Sequence, residues 1–188
     1  MNILILGGAG KTGSSLATTL FELKPDINIR IVDNLSNGSL SNINHLHSNP
    51  RFDFYLGNIC DPELMCAMMA DRQVIINCVK SPSHEQAVYD IIGGSQNVLE
   101  LLDENQQYIY IGMKGLSIDS VKNPTDASIL SAEALAVAYW HQYGRKTLVI
   151  RASHNVHMGN LANAILAVIE NAISGVIHLP KEFEGCGR

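Results

Sequence analysis

The chain has 188 residues, 46% of them hydrophobic and 16% charged, a balance that fits one domain with a single buried core. A formal net charge of −5 supplies no basic stripe for nucleic acid or an anionic membrane surface, and no apolar run approaches the length of a membrane span. Cys60, Cys66, Cys78 and Cys186 show no C-x-x-C pairing, so reduced thiols in a cytoplasmic protein are expected.

The first apolar run, Asn2-Ile-Leu-Ile-Leu6, has the length of a strand and lacks the basic leader of a signal peptide. Gly7-Gly-Ala-Gly-Lys-Thr-Gly13 follows at once, ahead of a helical stretch over Lys11 to Leu23. In a strand–turn–helix setting these glycines have separate duties. Gly7 makes the tight turn, Gly10 lets the backbone approach a pyrophosphate, and Gly13 lets helix and strand pack closely. The helix start at Lys11 and Thr12 offers free N–H groups and a partial positive charge to phosphates. Gly10-Lys11-Thr12 also ends like an ATPase phosphate loop, but that loop needs a glycine five positions before Gly10, where this chain has Ile5. The second strand, Asn28 to Val32, ends in Asp33, twenty residues after Gly13. A carboxylate there accepts from adenosine ribose hydroxyls and disfavours a 2′-phosphate, which points to NAD rather than NADP.

Leu35 to Pro50, rich in Asn and Ser, reads as a loop with one short helix. Further strands are expected at Phe52 to Leu56, Val74 to Cys78, Gln107 to Ile111, Thr147 to Ile150 and Val176 to Leu179. Helices are expected at Pro62 to Ala70, with Asp61 as N-cap, and at His84 to Leu102, Ala127 to Tyr143 and Leu161 to Ile173. This alternation predicts an α/β protein with a Rossmann-type doubly wound parallel sheet of about seven strands. Residues 1–180 form the single domain, with 181–188 as a flexible tail. His45 with His47, and His154 with His157, fall short of the three or four ligands of a zinc site and come with no matching carboxylate or cysteine set, so no metal is expected.

Beyond Asp33 the sequence becomes more particular. Val32-Asp-Asn-Leu-Ser-Asn-Gly38, Gly57-Asn-Ile-Cys-Asp-Pro-Glu63, Gly94-Ser-Gln-Asn-Val-Leu-Glu100 and Arg151-Ala-Ser-His-Asn155 resemble, in order and spacing, the extended short-chain dehydrogenase/reductases of the nucleotide-sugar epimerase/dehydratase branch. The resemblance covers nearly the whole chain. It implies that Asp33 holds the ribose, that Asn34, Ser36, Asn37 and Gly38 border the adenosine, and that Asn58 and Ile59 meet the adenine edge, Asn58 standing where the family has Asp. Cys78, Val79 and Lys80 fall on the segment that faces the dinucleotide, where the family has small residues. The Asn that opens the family's Asn-x-x-Gly-Thr element is Ile91 here.

The family's acid–base engine is a Tyr-x-x-x-Lys pair plus a Ser or Thr after the fifth strand. The lysine and cofactor lower the tyrosine pKa so that it can move a proton. Aligned on Pro124 to Leu135, the tyrosine position holds Thr125 and the lysine position Ile129, while the Ser/Thr position falls on Gly112-Met113. Flanking Ala127, Ser128, Glu133, Tyr139, Tyr143 and Gly144 stay in register. The resemblance also implies that the substrate lobe is largely missing after Arg151 to Asn155, and that the helices His84 to Leu102 and Ala127 to Tyr143 pair across a two-fold axis into a homodimer.

These features support a NAD(H)-binding protein related to sugar-nucleotide epimerases and dehydratases but without their standard activity, serving as a sensor, scaffold or accessory protein. Two alternatives stay open. One is an unorthodox enzyme acting on a sugar nucleotide or small carbonyl compound, with Lys80 or His154, or else His84, Tyr89 or Lys114, as replacement acid–base groups. The other is an interaction module that no longer binds a nucleotide.

Overall fold

Seven runs rich in Ile, Val, Leu, Phe and Tyr pair side by side, all parallel, in a computed structural model that describes residues 1–153, 155–171 and 173–179. The strands are β1 (Asn2–Leu6), β2 (Asn28–Asp33), β3 (Phe52–Leu56), β4 (Val74–Asn77), β5 (Gln107–Met113), β6 (Lys146–Ala152) and β7 (Gly175–His178), in the spatial order β3-β2-β1-β4-β5-β6-β7. The expected doubly wound sheet is therefore present. The expected tail, 181–188, lies outside the described residues, as do Cys186 and His154.

Side-chain alternation along the central strands divides the core. Ile3 and Ile5 of β1 face α1 (Lys11–Leu23) and α5 (Met158–Asn171), packing with Leu16, Leu20, Leu161 and Ile165. Leu4 and Leu6 face α2 (Pro62–Met69), α3 (Gly94–Leu101) and α4 (Pro124–Tyr143), packing with Met65, Val98, Leu99 and Ala132. Both faces of the sheet are covered, which is why these strands read as nearly continuous apolar runs.

Local chemistry sets the helix ends. Asp61 caps α2 as expected, its Oδ1 accepting from the N–H groups of Glu63 and Leu64 at 3.0 and 3.1 Å. α4 begins three residues before the expected Ala127, because Asn123 Oδ1 accepts from Asp126 N at 2.9 Å and Pro124 takes the first turn. It stops at Gly144, whose φ of 64° suits a left-handed cap. The helix expected from His84 does not form as one piece. Residues 84–86 form turns, Val88–Gly93 winds as a π-helix, and the α-helix starts only at Gly94. Gly94 packs directly on the Ile59 side chain, with no room for a Cβ. The loop after Asp33 carries two short 3₁₀ turns, Leu40–Asn42 and Asn44–Leu46, where one short helix was expected; Ile43 and Leu46 anchor it in the core.

At the C-terminal end of β4 the buried Asn77 side chain joins three elements. Its Nδ2 donates to Tyr108 Oη at 2.8 Å and Ser95 Oγ at 3.2 Å, and its Oδ1 accepts from Val79 N at 3.0 Å. Burial pushes the Tyr108 phenol and the neighbouring Cys78 thiol up to about 12, and raises Tyr110 well above 10. Such acids are neutral in the folded protein while the unfolded chain ionises at ordinary pKa values near 9 and 10, so above those values the unfolded state binds fewer protons and stability falls until the folded groups titrate. Urea unfolding should thus show stability dropping between about pH 9 and 12, by up to about 1.4 kcal/mol per pH unit for each group. Tyr110→Phe should flatten that slope; an unchanged slope would contradict the assignment.

Candidate functional site

The strand order reverses between β1 and β4: the chain leaves β1 towards one face of the sheet and β4 towards the other. A crevice must open where they part, at the C-terminal ends of the strands. Gly7 forms its floor with φ of 70°, and a Cβ there would sit 2.9 Å from Val79 Cα. Gly13 packs α1 on the same turn, since a Cβ would come within 2.6 Å of Gly7 O and Gly8 Cα. The first turn of α1 has no side-chain cap and no acidic residue. Its orphan N–H groups, at Lys11 and Thr12 on the crevice wall, are the donors an anion would satisfy.

Asp33, buried at the end of β2, is held by its own backbone surroundings. Oδ2 accepts from Ala9 N at 2.9 Å and Oδ1 from Leu35 N at 2.7 Å, leaving each oxygen further lone pairs. Leu35 takes a left-handed φ of 58° to make this turn. Gly38 closes over the carboxylate so tightly that a Cβ would lie 2.9 Å from Asp33 Oδ1. Asn34 Oδ1 accepts from Ser36 N at 3.0 Å, and Asn58 Oδ1 from Cys60 N at 2.9 Å, fixing the two loops that form the far wall.

The crevice, of about 790 Å³ including its open mouth, brings together every residue expected at a dinucleotide except Gly13, which lies behind the wall as packing. Gly7, Gly10, Lys11, Thr12, Asp33, Asn34, Ser36, Asn37, Gly38, Asn58, Ile59, Cys78, Val79 and Lys80 all line it. Val32, Gly57 and Asp90 join them without having been anticipated. Asp90 is buried and held by Ser81 Oγ at 2.9 Å and Gln86 Nε2 at 3.4 Å. It lies within the π-turn, which sets Asp90 on the crevice wall and Ile91 in the core. Only that wider turn, a common companion of functional sites, betrays the residue.

A second, smaller cleft adjoins the first through Thr12, Cys78 and Lys80 and extends over the ends of β5 and β6 to Met113, Ser153 and Met158. Burial lowers the pKa of the Lys80 ammonium, with Cys78 and Glu133 acting in the opposite sense. Glu133, projecting from α4, is itself buried and paired with Arg151, its Oε2 lying 2.8 Å from Nε and 2.6 Å from the terminal guanidinium nitrogen. Its Oε1 also accepts from Met113 N at 3.3 Å. A Cβ at Gly112 would collide with that carboxylate, so the absence of a hydroxyl residue at Gly112 has a packing cause.

The structure does not assemble Met113, Thr125 and Ile129 into a polar group. Met113 lines the second cleft, and Ile129 is 1% exposed in the core beneath α4. Thr125 Oγ1 is 2.6 Å from His84 Nδ1, in a separate shallow depression with residues 81–85. Among the other candidates, Lys114 Nζ donates to Leu179 O at 3.2 Å, and Tyr89 is exposed outside both clefts. His154 lies outside the described residues, and Lys80 alone of these candidates lines the crevice. His45 binds Thr18 Oγ1 at 2.8 Å and His47 packs edge-on against Phe52. Among the described residues no three His, Cys, Asp or Glu side chains are grouped to hold a metal, and no helix is long and apolar enough to cross a membrane.

Comparison with known proteins agrees with this geometry. A dTDP-glucose 4,6-dehydratase of Actinoplanes sp. is 27% identical over 182 residues, covering 82% of this chain; the chain spans only 57% of that protein's length. The crystal structure of dTDP-glucose 4,6-dehydratase from Bacillus anthracis in complex with NAD superimposes with a TM-score of 0.79 at 21% identity, covering 95% of this chain and 75% of that one. DesIV, a dTDP-glucose 4,6-dehydratase from Streptomyces venezuelae with NAD bound, gives a TM-score of 0.81 at 20% identity over the same shares. At these identities the solved structures establish the shared fold. Residues 3–115, which hold the glycine turn, Asp33 and the β4 segment, match the NAD dependent epimerase/dehydratase family, and the chain belongs to that family, with NAD as its cofactor.

Proposed function

We propose that this protein binds NAD(H) but carries out no ordinary epimerase, dehydratase or dehydrogenase turnover on nucleotide-sugars, acting instead as a sensor, scaffold or accessory protein. The glycine turn, the uncapped start of α1 and the Asp33 carboxylate around one crevice support the cofactor half of this reading. Against this, the observation that carries the proposal is that Ile129, at the family's lysine position, is 1% exposed within the apolar core. An alkyl group there can neither lower a neighbour's pKa nor hold a ribose. Thr125 is a far weaker acid than tyrosine and is engaged with His84. The connection from β6 to α5 runs only through residues 153–157, which leaves no room at that point for an inserted substrate lobe.

Purified protein should bind NAD⁺ and NADH in calorimetry, a better probe here than tryptophan emission because Trp140 stacks on His141 and packs near Gly175, at the opposite end of the sheet from the crevice. With UDP- or dTDP-sugars, product should stay near background, since lost general acid–base catalysis alone removes about 10² to 10⁴ in rate. Turnover at normal enzymatic rates would overturn the proposal.

NADP should bind more than about ten-fold more weakly than NAD, because the Asp33 carboxylate would meet a 2′-phosphate as a like charge. Asp33→Asn should narrow that gap and weaken NAD itself about ten-fold, through loss of charge-assisted hydrogen bonds. Equal affinities in the wild-type protein would exclude the role given to Asp33.

We also propose a homodimer through α3 and α4. On α4, Ala134, Ala138, Trp140 and Tyr143 are exposed, and the helix is apolar on more of its circumference than the sheet covers. Light scattering should give twice the 20.5 kDa chain mass, and Ala134→Glu should give the monomer. A monomeric wild-type protein at high concentration would remove the idea.

A further inference from the structure

Away from the crevice, the segment after β5 holds an apolar side chain out in solvent on a firmly tied turn. Ser117 N donates to Ser120 Oγ at 2.8 Å and Ser120 N to Ser117 O at 3.0 Å, closing the 3₁₀ turn Ile118–Ser120. Ile118 is nevertheless 80% exposed. Together with Leu116 and Val121 from this segment, and Ala127 and Leu130 from α4, it lines a groove of about 840 Å³ including its open mouth. Arg151 of β6 also lines it. Glu133 Oε2 takes Nε and one terminal nitrogen of Arg151, yet the side chain stays 25% exposed and its guanidinium carries further N–H donors. An apolar trough bordered by a guanidinium suits an aromatic or aliphatic side chain that has a carboxylate beside it.

The chain itself arrives at the edge of this groove. Leu179 N donates to Arg151 O at 3.4 Å, one step past the β6–β7 pairing, and Leu179 O accepts from Lys114 Nζ at 3.2 Å, at the root of the same segment. Beyond the described residues the sequence continues Pro180-Lys-Glu-Phe-Glu184. Phe183 is the one large aromatic side chain in residues 180–188, and Glu182 and Glu184 flank it. It follows Leu179 by four residues, a reach of about 13 Å for extended chain, while Leu179 already touches the backbone of a groove residue.

We propose that Pro180–Glu184 folds back over this groove, with Phe183 in the trough between the Ile118 turn and α4 and its flanking carboxylates at Arg151. The occupant is the protein's own chain, which makes residues 180–184 a working part of the domain rather than a linker leading away from it. Because Glu133 Oε1 also accepts from Met113 N, a segment seated on Arg151 would brace the end of β5 as well. The inference does not depend on NAD binding.

Tryptophan emission from the full chain tests this. Trp140 is the only tryptophan, so Trp140→Phe combined with Phe183→Trp moves the sole reporter to position 183. Its emission should be blue-shifted, and iodide should quench it several-fold less than in the urea-unfolded protein. Adding Ile118→Glu, at a side chain too exposed to matter for folding, should shift the emission to the red and restore quenching. An indole that is fully quenched before Ile118→Glu is added, or one indifferent to that substitution, would overturn the proposal. So would shielding that appears only as protein concentration rises, because the occupant would then be a second copy's segment. With the native phenylalanine as the comparison, Phe183→Ser should speed hydrogen exchange of the amides in 116–121; equal protection in the two proteins would count against the docked segment too.

Discussion

The backbone contact between Gly7 and Val79, where β1 and β4 part, is the constraint on which the rest of the site depends. With any side chain at Gly7 the two strand ends would be pushed apart, and its φ of 70° would be strained as well. That approach puts the start of α1, the Asp33 carboxylate and the segment 78–80 around one crevice. It also forces the first residues after β4 to fit under the turn, so that the position of Lys80 is set by packing at Val79 rather than by its own charge.

Around that crevice the protein leaves strong hydrogen-bonding groups incompletely used: the α1 N–H groups and the outer lone pairs of Asp33. A ligand that satisfies such groups on a crevice wall stabilises the folded state. Elsewhere the buried polar groups are largely satisfied internally. Asn77, Ser95 and Tyr108 form a closed set, and Glu133 and Arg151 neutralise each other behind Met113. The contrast separates the open wall of the crevice from the internally paired ends of β5 and β6.

The Glu133–Arg151 pair explains why the second cleft has the character it does. Its carboxylate fills the space over Gly112 and takes the Met113 N–H, so the end of β5 is committed to holding α4 in place. With Ile129 packed in the core one turn away, α4 presents an apolar and internally paired surface where a catalytic helix would present proton donors. At Ile129 and Gly112 the space is given to packing.

Much of this was legible in the sequence, for a physical reason: it depends on chain neighbours. The strand–turn–helix glycine spacing, the acidic residue at the end of the second strand, the apolar strand runs and the Asp61 cap are local patterns, and the fold and nearly all of the dinucleotide crevice follow from them. What only the tertiary structure decided depends on residues far apart in the chain. A π-turn, invisible to helical periodicity, brings Asp90 to the crevice and splits the helix expected from His84. The collision that reserves Gly112 for Glu133, the hydrogen bond between His84 and Thr125, and the position of Lys80 between two clefts are set by packing across the sheet. No pattern of chain neighbours encodes them, because each is fixed by the space that other elements leave.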